Sequence, residues 1–143
     1  RVLSAGHPNI LFLGERHGRE LAVLFSHAAL FVQPSEEEGL SIALLEAMGY
    51  GLLPVVSDIP ANLEAIKNGC GASFPSKDVE ALKRELAYYV NRPKETAIIG
   101  ARAKARVEDE YSWDAIAQKT IDLYIDLLKH KGTRGHYAEY RFK

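Results

Sequence analysis

Short apolar runs alternate with segments of helical periodicity along the first half of the chain. Each run stops at glycine, proline or a polar loop, a pattern that predicts buried strands. The predicted strands are Asn9–Leu13, Ala29–Val32, Leu53–Ser57 and Ala72–Phe74. Between them, the residues at 20–27, 40–48 and 61–67 place apolar side chains at helical spacing. Because the strands are apolar runs without period-two alternation, the pattern indicates a parallel sheet covered by helices on both faces.

The second half of the chain is predicted to be helical only. Helices are expected at 77–90, from Pro93 to about Asp109, and at 113–129, where Ser112 is a good N-cap. The last helix carries an apolar stripe predicted to pack on the domain: Ile116, Ala117, Ile121, Tyr124, Leu127 and Leu128. We therefore predict one domain over residues 1–130 and a tail, rich in charge and tyrosine, over 131–143.

Composition narrows the class of protein. A chain of 143 residues with 47% hydrophobic and 26% charged residues is typical of one globular domain. Its net charge of −1 argues against a nucleic-acid partner. The sequence has no apolar run of about 20 residues and no signal-peptide pattern, so a cytoplasmic location is expected. The single Cys70 excludes an internal disulfide, and the five histidines lack metal-ligand spacing, so no metal site is predicted.

The candidate chemistry lies in the stretch from Pro34 to Asp58. It contains two carboxylates, Glu38 and Glu46, with seven residues between them. A helix that begins near Gly39 would present unpaired N–H groups suited to a diphosphate and would place Glu46 about 10 Å along its axis. There a carboxylate can accept hydrogen bonds from the vicinal hydroxyls of a ribose. Gly39 itself suits either a turn with positive φ or the close approach of a ligand.

These carboxylates also have simpler interpretations. A glutamate on a solvated helix face normally has a basic partner three or four residues away, but the positions around Glu46 hold Ile42, Ala43, Gly49 and Tyr50. Glu38 is alternatively one solvated charge among three consecutive glutamates. The same acidic run lacks the ligand spacing of a divalent-metal site.

This stretch resembles the C-terminal, donor-binding domain of GT-B retaining glycosyltransferases, in the large group 1 (family 4) that includes glycogen synthase and sucrose synthase. The matching motifs are Pro34-Ser35, Glu38-Gly39, Leu44-Leu45-Glu46-Ala47-Met48, Gly51 and Pro54-Val55-Val56. The resemblance extends from about Asn9 to Leu128. It implies a Rossmann-like, doubly wound parallel sheet followed by C-terminal helices. It also implies a nucleotide-diphosphate sugar as substrate, with no metal and no other cofactor.

The resemblance also implies roles for individual residues. Glu38 would contact the donor hexose and help stabilise charge at the reacting carbon, and Glu46 would bind the ribose hydroxyls. The diphosphate or sugar hydroxyls would be held by the backbone N–H groups of Gly39, Leu40 and Ser41. The nucleotide base would face a polar loop formed by Arg16, His17 and Gly18.

Two local departures from the family pattern affect the site. The family has an aromatic residue and a glycine where this chain has Leu40 and Ser41, which weakens the case for a tight approach of the sugar. The family's Gly-x-Pro-Glu sequence is replaced by Ile59-Pro60-Ala61-Asn62-Leu63-Glu64, which leaves Glu64 as only a rough counterpart.

A larger departure concerns parts of the family fold that precede this sequence. Such a domain opens with two further strand–helix units that bring an Arg and a Lys to the diphosphate, whereas no Lys or Arg occurs from Glu20 to Ile66. The family sheet has the strand order 3-2-1-4-5-6. The absence of strands 1 and 2 would therefore separate the run at 9–13 from the other predicted strands. The acceptor (a glycan, lipid or small molecule) would be bound mainly by an N-terminal domain. Membrane association through such parts stays open, and the chain alone is expected to be inactive.

Two functions from other classes remain as alternatives. One is an isomerase of the same architecture, similar to UDP-sugar 2-epimerases, which would need its own catalytic acids and histidine. The other is a non-catalytic doubly wound domain that binds a nucleotide or a protein.

Overall fold

The computed structural model describes residues 7–129, which form a three-layer α/β arrangement. Its parallel sheet has the strand order β1-β2-β3, with β1 at Leu30–Gln33, β2 at Leu53–Ser57 and β3 at Ala72–Phe74. Between the strands and before them lie α1 (Gly18–His27), α2 (Ile42–Gly49) and α3 (Pro60–Ala65). A short 3₁₀ turn follows at Lys67–Gly69. The remaining elements are α4 (Val79–Val90), α5 (Pro93–Arg106), a π-helical turn (Val107–Tyr111) and α6 (Trp113–Lys129).

Strand β2 is the centre of the sheet and is buried along its whole length. It pairs in parallel with β1, where Leu30 lies opposite Leu53, and with β3, where Val55 lies opposite Ala72. Successive side chains of a strand point to opposite faces. One face therefore buries Val56 with side chains of α2, α3 and α5, and the other buries Leu53 and Val55 with side chains of α4. The predicted parallel sheet with helices on both faces is confirmed.

The run at 9–13 is not a strand, contrary to our prediction. Its apolar side chains are exposed, with Leu11 and Phe12 at 77% and 78%, and no described strand pairs with it. An apolar run becomes a strand only where a neighbour satisfies its backbone N–H and C=O groups.

The apolar stripe of α6 also differs from expectation. Helix α6 has the predicted bounds, and the Ser112 hydroxyl accepts a hydrogen bond from the N–H of Ala115. Yet none of its residues is buried, and Trp113, at its first position, is 87% exposed. Helical periodicity identifies an amphipathic helix but does not supply the surface that covers its apolar face. The predicted tail at 131–143 lies outside the described residues.

Candidate functional site

The segment that joins β1 to α2, residues 34–41, is called the acidic loop here. It leaves the carboxyl end of a parallel strand, which is the edge of an open α/β sheet at which ligands bind. The loop contains Glu36, Glu37 and Glu38, and all three are exposed. The structure thus places the predicted site residues of this loop together at the sheet edge.

Helix α2 begins three residues later than predicted. Its N-cap is Ser41, whose hydroxyl accepts a hydrogen bond from the N–H of Leu44 at 3.3 Å, and its first helical residue is Ile42. Serine is a much better N-cap than a residue without a side-chain acceptor, and its hydroxyl satisfies one of the first N–H groups. Gly39 and Leu40 consequently lie in the acidic loop and not in the helix.

This shift creates a continuous run of backbone donors. The N–H groups from Gly39 to Ala43 donate to no acceptor among the described residues, and Leu45 is the first to donate to a helical-type partner, the carbonyl of Ser41. Free N–H groups at the start of a helix, together with the positive end of its dipole, favour an anion. The run is suited to a phosphate or diphosphate.

Gly39 does not adopt a positive φ, the backbone angle that would favour glycine in a turn. Among the described glycines, positive φ angles occur at Gly14, Gly18, Gly51 and Gly69. A Cβ built at Gly39 would meet no atom within 4 Å. Neither backbone conformation nor packing within the described chain therefore requires glycine here. The space in front of Gly39 is open to a ligand.

The two candidate carboxylates flank this run of donors. Glu38 precedes it, and one carboxylate oxygen of Glu38 accepts a hydrogen bond from the Ser35 hydroxyl at 2.9 Å. Glu46 is exposed on α2 and has no hydrogen bond or ion pair to a described side chain. Because the helix begins at Ile42, the rise of an α-helix places Glu46 about 7.5 Å along the axis from the N-cap Ser41. Neither carboxylate is buried in the hydrophobic interior.

The loops that follow all three strands meet at this edge. Lys77, after β3, places its Nζ 2.9 Å from a carboxylate oxygen of Glu36 in the acidic loop. Asp58, after β2, accepts a hydrogen bond from the N–H of Ser76 at 2.8 Å. A positive side chain therefore does approach the acidic loop, and it comes from outside the span in which the sequence lacks Lys and Arg.

A family model described as "Glycosyl transferases group 1" matches residues 4–106. This chain belongs to the group 1 glycosyltransferases. The same family assignment is supported by individual relatives, described next, and it confirms the resemblance found in the sequence.

Among group 1 relatives, the lipopolysaccharide core biosynthesis mannosyltransferase LpcC of Rhizobium leguminosarum bv. viciae is 33% identical over 129 residues. That match covers 89% of this chain and 36% of the relative. Alpha-maltose-1-phosphate synthase of Mycolicibacterium smegmatis is 32% identical over 108 residues, covering 71% of this chain and 28% of the relative. This chain thus spans only about a third of the length of these curated relatives.

The fold of this group 1 chain is also found in a solved structure. Sucrose-phosphate synthase from Thermosynechococcus elongatus superposes with a TM-score of 0.71 and 26% sequence identity. The match covers 78% of this chain and 28% of that protein. The α/β sheet of this chain therefore corresponds to part of the fold of a GT-B glycosyltransferase.

In this group 1 chain, the predicted base loop (Arg16, His17 and Gly18) makes no hydrogen bond or ion pair to the acidic loop among the described residues. Arg16 pairs with Glu20 at 3.1 Å, and His17 pairs with Glu15 at 3.1 Å. Gly18 is the first residue of α1, with φ +53°. The interactions of these residues within the described chain are local, so the base-binding role remains a prediction.

Sequence reasoning missed three buried polar side chains behind the acidic loop of this group 1 chain. Gln33 ends β1, Ser57 ends β2 and Asn62 lies in α3, and each is at most 8% exposed. They contact one another and both ends of the acidic loop. The available signal was the polar residue that ends β1 and β2, although the hydrogen bonds themselves join residues far apart in the chain.

Two further observations bear on cofactors and on membranes. Over residues 7–129, no three His, Cys, Asp or Glu side chains are grouped so that they could hold a metal ion. None of the helices described in this range has the length and apolar character that crossing a bilayer requires.

Proposed function

We propose that this domain binds a nucleoside-diphosphate sugar and serves as the donor half of a retaining hexosyltransferase. The observation that carries the proposal is a run of N–H groups, from Gly39 to Ala43, that have no acceptor among residues 7–129. The run lies between two exposed carboxylates at the carboxyl end of a parallel strand. The group 1 family supports a glycosyl transfer reaction, and the named relatives include a mannosyltransferase.

Each part of the donor has a counterpart in this arrangement. The diphosphate accepts hydrogen bonds from the backbone of Gly39 to Ala43, where the helix dipole also favours negative charge. Glu46, whose carboxylate has no partner among residues 7–129, accepts hydrogen bonds from the ribose hydroxyls. Glu38 contacts the hexose and stabilises positive charge that develops at the reacting carbon as the diphosphate departs. No protein nucleophile is proposed, and no cofactor or metal is required.

The charge balance indicates that the diphosphate needs further cations. A helix N-terminus contributes about 0.3–1 kcal/mol at an exposed site. Lys77 is already paired with Glu36, and Glu37 and Glu38 add further negative charge to the acidic loop. We propose that basic residues outside residues 7–129 complete the diphosphate site. The acceptor, a glycan, lipid or small molecule, would likewise be bound mainly outside this chain, so the chain alone is expected to transfer no sugar.

The cellular setting is part of the same proposal. We propose that the reaction takes place in the cytoplasm, with peripheral membrane contact through other parts of the protein.

Calorimetric titration of the protein with UDP, GDP, ADP and their hexose derivatives tests the proposal. Glu46→Gln removes the charged acceptor of the ribose hydroxyls and is expected to weaken binding of nucleotide and nucleotide sugar alike, by about tenfold or more, as for a hydrogen bond to a charged group. Glu80→Gln, another exposed helical glutamate, on α4, is the matched control and is expected to leave both affinities unchanged.

Three outcomes separate the proposal from the alternatives. If Glu46→Gln and Glu80→Gln weaken binding equally, or neither does, the carboxylate has no specific role and only a generic nucleotide fold remains. Conversion of a UDP-sugar to its epimer without any acceptor would favour the isomerase. Sugar transfer by the 143-residue chain alone would overturn the expectation that the acceptor site lies elsewhere.

A further inference from the structure

A chain of hydrogen bonds, called the polar relay here, runs behind the acidic loop. Its members are Ser41, Gln33, Asn62, Ser57 and Ser35. The Ser41 hydroxyl donates to Gln33 Oε1 at 2.9 Å, and the Gln33 amide donates to Asn62 Oδ1 at 3.3 Å. The Asn62 amide donates to the hydroxyl and to the carbonyl of Ser57, both at 3.1 Å. The Ser57 hydroxyl then donates to the carbonyl oxygen of Ser35.

The direction of donation is the same at every step of the relay. Each side chain accepts on one side and donates on the other, and Ser41 itself accepts from the N–H of Leu44. Hydrogen bonds arranged head to tail polarise and strengthen one another in a low dielectric. The three central side chains are almost completely buried and satisfied, so the loss of any one of them leaves a buried polar group without its partner.

The relay begins and ends in the same loop. Ser41 closes the acidic loop at the N-cap of α2, and Ser35 lies at its start, just beyond β1. Between these two residues, the loop backbone makes no hydrogen bond to other backbone groups of the described chain. The relay therefore supplies the hydrogen bonds that join the loop to β1, β2 and α3, and the exposed Lys77–Glu36 ion pair is expected to add little.

Ser35 connects the relay to the candidate catalytic carboxylate. Its carbonyl oxygen is held by Ser57, while its hydroxyl donates to Glu38 at 2.9 Å. We propose that the polar relay is a positioning device that orients Glu38 toward the donor hexose, with Ser35, Ser57 and Asn62 as its positioning residues. This inference rests on the proposed role of Glu38 in contacting the sugar.

The test compares the affinity for a nucleotide sugar with that for the corresponding nucleoside diphosphate, measured calorimetrically on the complete polypeptide. Ser35→Ala removes only the hydroxyl that holds Glu38, and Ser57→Ala removes the support of the Ser35 carbonyl. Ser35→Ala is expected to weaken nucleotide-sugar binding about tenfold and to leave nucleoside-diphosphate binding unchanged, because only the sugar contacts Glu38. Ser57→Ala also loosens the loop that carries the diphosphate donors, so it is expected to weaken the binding of both ligands, and that of the nucleotide sugar more. A general loss of fold stability would weaken the binding of both ligands equally.

Rescue and control variants sharpen the comparison. Ser35→Thr keeps the hydroxyl of the half-buried Ser35 and is expected to restore sugar affinity. Ser73→Ala removes an exposed hydroxyl from the neighbouring strand β3 and is expected to change neither affinity. Asn62→Ala interrupts the relay at its centre. It is expected to speed hydrogen exchange of the Leu44 and Leu45 amides, which donate to Ser41, at least tenfold while exchange in β3 stays the same.

Glu38→Gln separates failure of the inference from failure of the proposed function. The quantity compared is the affinity for the nucleotide sugar divided by that for the nucleoside diphosphate. If Glu38→Gln lowers this ratio but Ser35→Ala and Ser57→Ala leave it unchanged, the positioning role is overturned and the proposed function stands. If Glu38→Gln itself leaves this ratio unchanged, the proposed role of Glu38 and the positioning role are both overturned, and donor binding is then judged from Glu46→Gln. Unchanged hydrogen exchange in Asn62→Ala would show that the relay does not hold the loop, and would also overturn the positioning role.

Discussion

At the scale of single residues, glycine at position 39 is needed for ligand binding in our proposal but not for folding. Its φ is not positive and a Cβ would meet no other atom, so the described fold tolerates alanine. We expect Gly39→Ala to leave the free energy of unfolding unchanged, or raise it by about 0.4–1 kcal/mol through the unfolded state. Because the new methyl group occupies the space before the free N–H groups, affinity for the nucleotide sugar is expected to fall about tenfold.

Urea unfolding and calorimetric titration of the same Gly39→Ala sample measure the two effects. Unchanged donor affinity would show that no ligand approaches this backbone closely. A large loss of stability would instead show that glycine is needed for folding.

Cys70 gives a pH dependence whose sign follows from its burial. Burial raises the pKa of the Cys70 thiol, and the positive charges of Arg106 and Arg102 oppose this only in part. The unfolded thiol ionises near pH 8.5. Since the folded pKa is higher, the stability contributed by the neutral thiol is fully present below about pH 8.5 and is lost as the pH rises through the folded value.

We therefore expect the free energy of unfolding to fall more between pH 7.5 and 9.5 in the native sequence than in Cys70→Ala, which cannot ionise. Urea unfolding at both pH values provides the measurement, and other groups that titrate cancel in the comparison. Parallel pH dependences in the two proteins would contradict the assignment.

At the scale of elements, the contact between α5 and the turn after α2 depends on Gly100. A Cβ at Gly100 would lie 2.0 Å from the carbonyl oxygen of Gly51, whose own φ is +78°. In an exposed helix, Gly→Ala is stabilising by about 1 kcal/mol. Here the added methyl must push α5 away from the turn, so we expect Gly100→Ala to destabilise the protein by roughly 1–3 kcal/mol.

Denaturant unfolding of Gly100→Ala decides the sign, with Gly39→Ala as the matched substitution at an open position. Stabilisation by Gly100→Ala would show that α5 is free to move away from the turn.

The elements also show which features the sequence predicted and why others were missed. The bounds of β2 and β3 match the prediction because short apolar runs closed by polar residues occur where a strand is buried. The start of α2 was misplaced because the capping hydroxyl of Ser41 outweighs the turn preference of Gly39. The polar relay was not predicted, because Gln33, Ser57 and Asn62 come together only after the sheet has formed.

At the scale of the whole molecule, the local sequence pattern predicted the fold and a longer motif predicted the family, but neither predicted which surfaces are covered. The alternation of strands and helices predicted the layered sheet, and the motif from Pro34 to Val56 predicted the family, which the match over residues 4–106 confirms. The run at 9–13 and the stripe of α6 were misread as buried because periodicity reports apolar character and not the presence of a covering surface. Their exposure is a property of the assembled chain, and it has a measurable consequence.

Contiguous exposed apolar residues at 10–13 are expected to make the 143-residue chain self-associate, because apolar patches on a surface favour contacts that remove them from water. The double substitution Leu11→Ser and Phe12→Ser should lower the weight-average mass measured by sedimentation at micromolar concentration. It should leave the melting temperature unchanged, since both side chains contribute little to the described core. Val79→Ser, which replaces an exposed apolar side chain at the start of α4, is the matched control and should leave the mass unaltered. Equal masses for the native chain and the double variant would show that this apolar run does not mediate association. The stripe of α6 would then be the next surface to substitute.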